Sequence, residues 1–262
     1  MSGPFGVQML KVGEGDIPGP ELLWLSGWDE WFRLDFQIAV IRGDGVCALV
    51  NTGPAEDLSE MNDHWATVLG DRARMRREEG WRLMTQLASI GVAPEDVTHI
   101  ILTPLQLYST SNVDRFPNAQ ICLSKQGWVH FHTTHEHIHD SRWHCIPKHV
   151  LTHMVTDAWD RVRLLEDEDE VVPGLRTWWA GSHHRATVAV EVDSTAGTVV
   201  ITDAFFHYRN LEEDHPIGVC ENIYEAMEAH RRTREVADHA IPLYDPLVFE
   251  RHPGGVVAPL PA

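Results

Sequence analysis

The chain is short of positive charge. Its 262 residues carry 21 lysines and arginines against 39 aspartates and glutamates, a formal net charge of −18. Nucleic acid and anionic membrane surfaces both need a positive footprint on their partner, so neither is expected here. The acidic excess reads as a solubility device. Cysteine is also scarce. Cys47, Cys122, Cys145 and Cys220 lie far apart and no C-x-x-C occurs, so neither a zinc knuckle nor a redox pair is signalled. Cys47 and Cys122 fall in apolar runs and read as reduced core residues. No apolar run approaches the ~18 residues that would read as a membrane span. The opening MSGPFG has no basic n-region or apolar h-region, and the expectation is a cytoplasmic protein. No G-x-G-x-x-G follows a strand-like run, which disfavours a dinucleotide-binding fold, and there is no G-x-S-x-G nucleophile turn. With no linker and no repeat of 20–50 residues, a single domain is expected over 1–262, with an N-terminal extension at 1–34 and an extended tail at 253–262.

What is present is ordinary for a globular α/β chain: 43% apolar and 23% charged residues. Asp35 to Arg42 and Val46 to Val50 read as strands paired around the Gly-Asp-Gly turn at 43–45. A helical region runs from Glu56 to Ile90, broken near Gly70 and ended by Gly91. Val97 to Thr103 and Ala119 to Ser124 read as strands, the second leading into a helix at Lys125. Val162 to Leu165, Leu175 to Trp179, Thr187 to Val192 and Thr198 to Thr202 are further strands, followed by a helix from Glu221 to Asp238 and a short strand from Ala240 to Leu243. Strands and helices alternate, with hairpins among them, and the pattern predicts a mixed α/β domain. The acidic run Glu166 to Glu170 reads as a solvated loop.

Two residue types are abundant. Histidine reaches 17, concentrated between 130 and 153, where His135 and His139 would share a helix face. Such a tract could hold a transition metal, or it could be an exposed polar helix or loop. Tryptophan reaches 10, with three in LLWLSGWDEWF at residues 22–32, which suits a core, an interface or a pocket lid. His64 and His99 are expected on a helix surface and at a strand edge, without a functional role.

The most informative stretch is VTHIILTPLQLYSTSNVDRFPNAQI, residues 97–121. A buried strand ends at Thr103, where an active-site loop would begin, yet Pro104 to Ser109 offer neither a strong nucleophile nor a ligand set. With Asn51-Thr52-Gly53-Pro54 before it, Ala180-Gly181-Ser182-His183 and VVITDA (199–204) after it, and IPLYDP (241–246) near the end, the order and spacing resemble the metallo-β-lactamase superfamily over residues 35 to 250. The lactonase-like branch, whose members open acyl-homoserine lactones, is the nearest in pattern. The resemblance implies a four-layer αβ/βα sandwich with the site at one edge of two sheets.

In that superfamily a His-x-His-x-Asp-His loop and three later residues hold two metal ions. The resemblance places Pro104, Gln106, Tyr108 and Ser109 on the loop, Ser182 and Tyr244 at the later histidines, and Asp203 on the bridging aspartate. Proline has no donor, glutamine is a poor zinc ligand and serine is rarely one. Six of seven ligands are changed, and the expectation is a site with no metal cofactor. A rebuilt mononuclear site would have to draw on His183, His184, Asp203 or His207, or on the tyrosines as phenolates. Without metal, Asp203, Tyr108, Tyr244 and His183 form the expected catalytic set: a carboxylate base, two phenol donors to an oxyanion, and a second base. Gln106, Ser109, Ser182, His184 and His207 are the expected substrate contacts. The function expected is metal-independent hydrolysis, or a related lyase or isomerase reaction, on a small lactone- or ester-like carbonyl compound. The alternatives are a small-molecule-binding protein without turnover and a hydrolase with a relocated metal. Relatives in the lactonase branch often dimerise, so the resemblance also implies a homodimer.

Overall fold

A computed structural model describes residues 4–133 and 142–261. His135 and His139 lie outside the described residues. Two sheets carry the fold. The first has seven strands in the order β12-β1-β2-β3-β4-β5-β6 and the second five in the order β11-β10-β9-β8-β7. In chain order these are β1 Gly6–Pro18, β2 Trp31–Gly43, β3 Val46–Val50, β4 His99–Leu102, β5 Gln120–Ser124, β6 Val162–Leu165, β7 Glu168–Val172, β8 Leu175–Trp179, β9 Val188–Ser194, β10 Gly197–Thr202, β11 His239–Pro242 and β12 Val256–Ala258. Helices at Ser59–Leu69, Leu83–Ser89, Lys125–His132, Lys148–Val155 and Ile223–Val236 connect and cover them. This is the mixed α/β sandwich that the sequence predicts.

Local chemistry explains the elements. Asp44 and Gly45 both take positive φ, 49° and 76°, so the β2–β3 hairpin closes on two residues whose twist matches the strands. β3, β4, β5 and β6 then run parallel, and their apolar runs (VCALV, HIIL, QICLS) suit strands covered on both faces. Ile38, Ile41, Leu49, Ile100 and Ile101 are fully buried in one continuous core that also takes in Val190, Val199 and Ile201 of the second sheet.

Two expectations change. The segment at 1–34 is mostly sheet: β1 pairs with β2 along nearly its whole length, from Gly6 opposite Arg42 to Pro18 opposite Trp31. Its glycines and charged residues hide the alternation, and a register shift between Lys11 and Gly13 breaks it. Leu22 and Leu23 of the tryptophan-rich stretch are buried, whereas Trp24 and Trp28 are exposed. The acidic run is no free loop, because Glu168, Asp169 and Glu170 belong to edge strand β7. Arg163 on Asp169 and Arg232 on Glu168 neutralise part of it, and a charged edge discourages pairing with another sheet. The helical region at 56–90 breaks where the sequence places the break, because Gly70 (φ 89°) ends the first helix. The chain then crosses β1 through a Glu14–Arg76 bridge.

One crossing sets the site. The loop at 215–219 runs over the single turn Gly19–Leu22, where the Gly218 and Val219 amides both donate to the Glu21 carbonyl oxygen. A Cβ on Gly218 would overlap the Pro20 carbonyl oxygen. Gly218→Ala is therefore expected to destabilise the protein by about 1–3 kcal/mol, read as a lowered denaturant midpoint.

Candidate functional site

The carboxyl ends of the strands converge on one edge, and short loops there are held by side chains that serve as backbone partners. Asn51 receives the Thr103 amide and donates to the Thr103 carbonyl. The Asn112 amide group donates to the carbonyls of Thr52, Gly53 and Pro54. These bonds fix the loop after β4, which carries Gln106 and Tyr108.

A cavity of about 110 Å³ opens beside that loop. Gln106, Tyr108 and Tyr244 line it from the strand ends, with Phe206 from the loop after β10. The other walls come from elsewhere: Phe36 of β2, His64 and Trp65 of the Ser59–Leu69 helix, and Glu21 of the single turn after β1. The aromatic rings touch one another. Tyr108 lies 5.1 Å from Phe36, 5.8 Å from Trp65 and 5.9 Å from Tyr244, and Phe206 lies 4.8 Å from Tyr244, centroid to centroid.

The polar groups on this wall have defined states. Burial pushes both phenols far above their ordinary pKa, and the nearby Asp203 charge adds to it, so Tyr108 and Tyr244 are protonated hydrogen-bond donors. The Tyr244 side chain is 2% exposed, and the polar group its hydroxyl faces is the hydroxyl of Tyr108. Glu21 is the surprise. Burial alone raises its carboxyl to about 7, with no cation beside it to oppose the shift.

The remaining expected residues sit behind this wall. Asp203 is fully buried and faces inward. Its carboxylate accepts from the Thr103 hydroxyl, from the Thr187 hydroxyl at 2.9 Å and from His183 Nδ1 at 2.8 Å. It does not line the cavity, contrary to the sequence expectation, because its lone pairs are committed to joining the two sheets. His183 is its partner, and the ring packs on Phe206 at 4.7 Å and on Tyr244 at 6.5 Å, both cavity walls. Ser182 takes φ 64°, is fully buried, and donates to the Ala204 carbonyl. Ser109 is buried beneath the loop, and its carbonyl accepts from Thr52. His184 Nδ1 accepts from the Ala186 amide. His207 turns to β2, with Nε2 3.0 Å from the Arg33 carbonyl, and burial lowers its pKa. Of nine expected residues, then, only Gln106, Tyr108 and Tyr244 reach the cavity. His64 gains a place that its sequence reading denied it, on the cavity wall and stacked on His144 at 3.6 Å.

Comparison with solved structures fits this architecture. An N-acyl homoserine lactone hydrolase with N-hexanoyl-L-homoserine at its catalytic metal centre superposes with a TM-score of 0.77 at 16% identity, over 94% of this chain and 95% of that one. The fold is that of the metallo-β-lactamases. A probable metal-dependent hydrolase from Staphylococcus aureus gives 0.73 at 14% identity, over 94% and 91%, and a dizinc quorum-quenching lactonase gives 0.65 at 13% identity, over 100% and 92%. No family model and no curated protein sequence matches the chain.

The described residues lining the cavity are not a set of metal ligands. At the positions that the resemblance marks, the structure offers a proline, a glutamine, two serines and two firmly protonated phenols, and the one carboxylate is already hydrogen-bonded. Among the described residues no group of three or more His, Cys, Asp or Glu side chains could hold a metal ion. Among them, too, no helix is long and apolar enough to cross a membrane.

Proposed function

We propose that the cavity takes a small ester- or lactone-like carbonyl compound and that the protein hydrolyses it without a resident metal. One observation carries this reading: two buried tyrosine hydroxyls that face each other on the wall of a largely apolar cavity, a pair in which one donor is left without an acceptor. A buried donor left unmade costs about 1–3 kcal/mol, a cost that a ligand oxygen would relieve. The carbonyl oxygen is the acceptor that suits two phenols, and the charge that develops on it during attack strengthens both bonds.

The proton acceptor in this reading is His183. Its Nδ1–H donates to Asp203, which leaves Nε2 as the free lone pair, oriented by a buried carboxylate. Water attacks the carbonyl carbon and gives its proton to Nε2. The oxyanion is held by Tyr108 and Tyr244. The carbon–oxygen bond to the leaving alcohol then breaks, and Nε2 returns the proton to that oxygen. Asp203 is a positioning residue here and touches no reacting atom.

A second reading, ligand binding without turnover, is favoured by the place of His183 next to the cavity wall rather than on it. Tyr244→Phe separates function from structure. Its hydroxyl meets only that of Tyr108, so losing it should cost no more than about 1 kcal/mol of stability. Hydrolysis of a short-chain lactone or ester found by screening should fall about 10²-fold. His183→Gln should abolish turnover while leaving binding intact. Saturable binding without product in the wild type would decide for the second reading.

A further inference from the structure

The cavity holds a carboxylate that the proposed hydrolysis does not use. Glu21 reaches it from the turn after β1, and among the described residues its carboxylate has neither a hydrogen bond nor an ion pair. The other acidic group on the wall, Asp16, is neutralised by Arg76 at 3.5 Å and Arg72 at 3.8 Å. No lysine or arginine is among the described residues lining the cavity. The cavity that Glu21 shares is walled by aliphatic side chains and by the rings of Phe36, Trp65, Tyr108, Phe206 and Tyr244. Ring faces are the negative ends of their quadrupoles and attract cations, most strongly where water is excluded. The Tyr108 and Tyr244 hydroxyls on the same wall face only each other, which leaves one buried donor for a guest and is a sign independent of Glu21.

We propose that this cavity recognises a small organic cation, a primary or quaternary ammonium on a short apolar body, with Glu21 as its counter-charge and the aromatic walls as its cage. The inference rests on the reading that this cavity is the ligand site, and it narrows the substrate class to amino-substituted esters or lactones: ammonium at Glu21, carbonyl at the tyrosines. An uncharged acyl lactone would leave the carboxylate buried without a partner.

The proposal makes binding depend on pH with a definite sign. A quaternary ammonium does not titrate, so only the protein's groups respond. Glu21 must be ionised to pair with it, and Glu21 holds its proton up to about 7. Affinity should therefore rise as pH rises and level off above about 8. Of the other groups facing the cavity, the phenols do not titrate in this range and Asp16 is ion-paired. His64 does face it, and its protonation would act in the same direction, so the variant must separate the two.

Calorimetric titration with choline and with its uncharged isostere 3,3-dimethylbutan-1-ol tests this on the full chain. The wild type at pH 8 should bind choline at least about tenfold more tightly than the alcohol, and choline affinity should fall by up to about tenfold per pH unit below 7. Glu21→Gln should bring choline down to the level of the alcohol, leave the alcohol within about twofold, and flatten the pH dependence. Equal binding of the two probes by the wild type, or a choline affinity untouched in Glu21→Gln, would overturn the proposal and leave the cavity as a neutral-ligand site. Failure of both probes to bind would remove the ammonium proposal and the cavity reading together. A pH dependence that survives in Glu21→Gln would assign the effect to His64 instead.

Discussion

Asp203→Ala is expected to lose about 3–5 kcal/mol of stability, the largest loss of any single substitution at this site. The carboxylate lies at a buried point where side-chain hydrogen bonds join the two sheets. Thr103 reaches it from the end of β4 in the seven-stranded sheet. Thr187 comes from the start of β9, and His183 from the loop between β8 and β9. The Thr103 hydroxyl also meets the Val188 amide and carbonyl, each at 3.0 Å, so the network is continuous with the β9 backbone. Truncation leaves the Thr187 hydroxyl and the His183 Nδ1–H buried without an acceptor, each worth about 1–3 kcal/mol and not additive, while the Thr103 hydroxyl can turn to the Val188 carbonyl. Asp203→Asn keeps the volume and one accepting oxygen, and should cost roughly half as much. Urea unfolding of the two variants reads the difference. A loss under about 1 kcal/mol for the alanine variant would mean that the network is not formed in solution. The same geometry predicts the kinetic outcome. Asp203→Asn frees the His183 ring without touching the cavity, so it should lower kcat and leave KM nearly unchanged.

That placement shows why the site was only partly legible in the sequence. The strand ends were readable, because β3, β4, β5 and β10 are apolar runs closed by turn residues, and the loop after each could be named. Which side chains on those loops face solvent, and which knit the loops together, has no local signal. Ser109 and Ser182 look like site residues by type, but one is buried under the loop and the other sits in a left-handed turn bonded to Ala204. The far wall was invisible for another reason. Glu21, Phe36, His64 and Trp65 belong to β1's following turn, to β2 and to a surface helix, and they meet the strand ends only after the chain has closed. Phe36 sits in a legible strand, but nothing there distinguishes a cavity wall from core. For Glu21 the only hint was a carboxylate directly before Leu22 and Leu23, two leucines that turned out to be buried.

Glu21 also gives the second large effect, and here the variant should gain stability. The folded protein binds this proton more tightly than the unfolded chain does, with the pKa raised from 4.5 to about 7. The contribution of Glu21 is therefore fully present below pH 4.5 and is lost as pH rises through 7. Over that window the shift corresponds to about 3 kcal/mol, an upper figure because water entering the cavity would solvate the carboxylate. Glu21→Gln keeps the shape and removes the titration. Wild type and variant should match near pH 4.5, diverge between 5 and 7, and differ by up to about 3 kcal/mol at pH 8, with the variant the more stable. Urea midpoints across this range measure the divergence, and a constant difference would show a carboxyl that is solvated in the folded state. A chain that keeps a destabilising carboxylate in an aromatic cavity at neutral pH is trading stability for something, and a cationic guest is the partner that would offset the cost. Choline at a concentration that saturates the wild type at pH 8 should accordingly raise its midpoint, and raise that of Glu21→Gln clearly less.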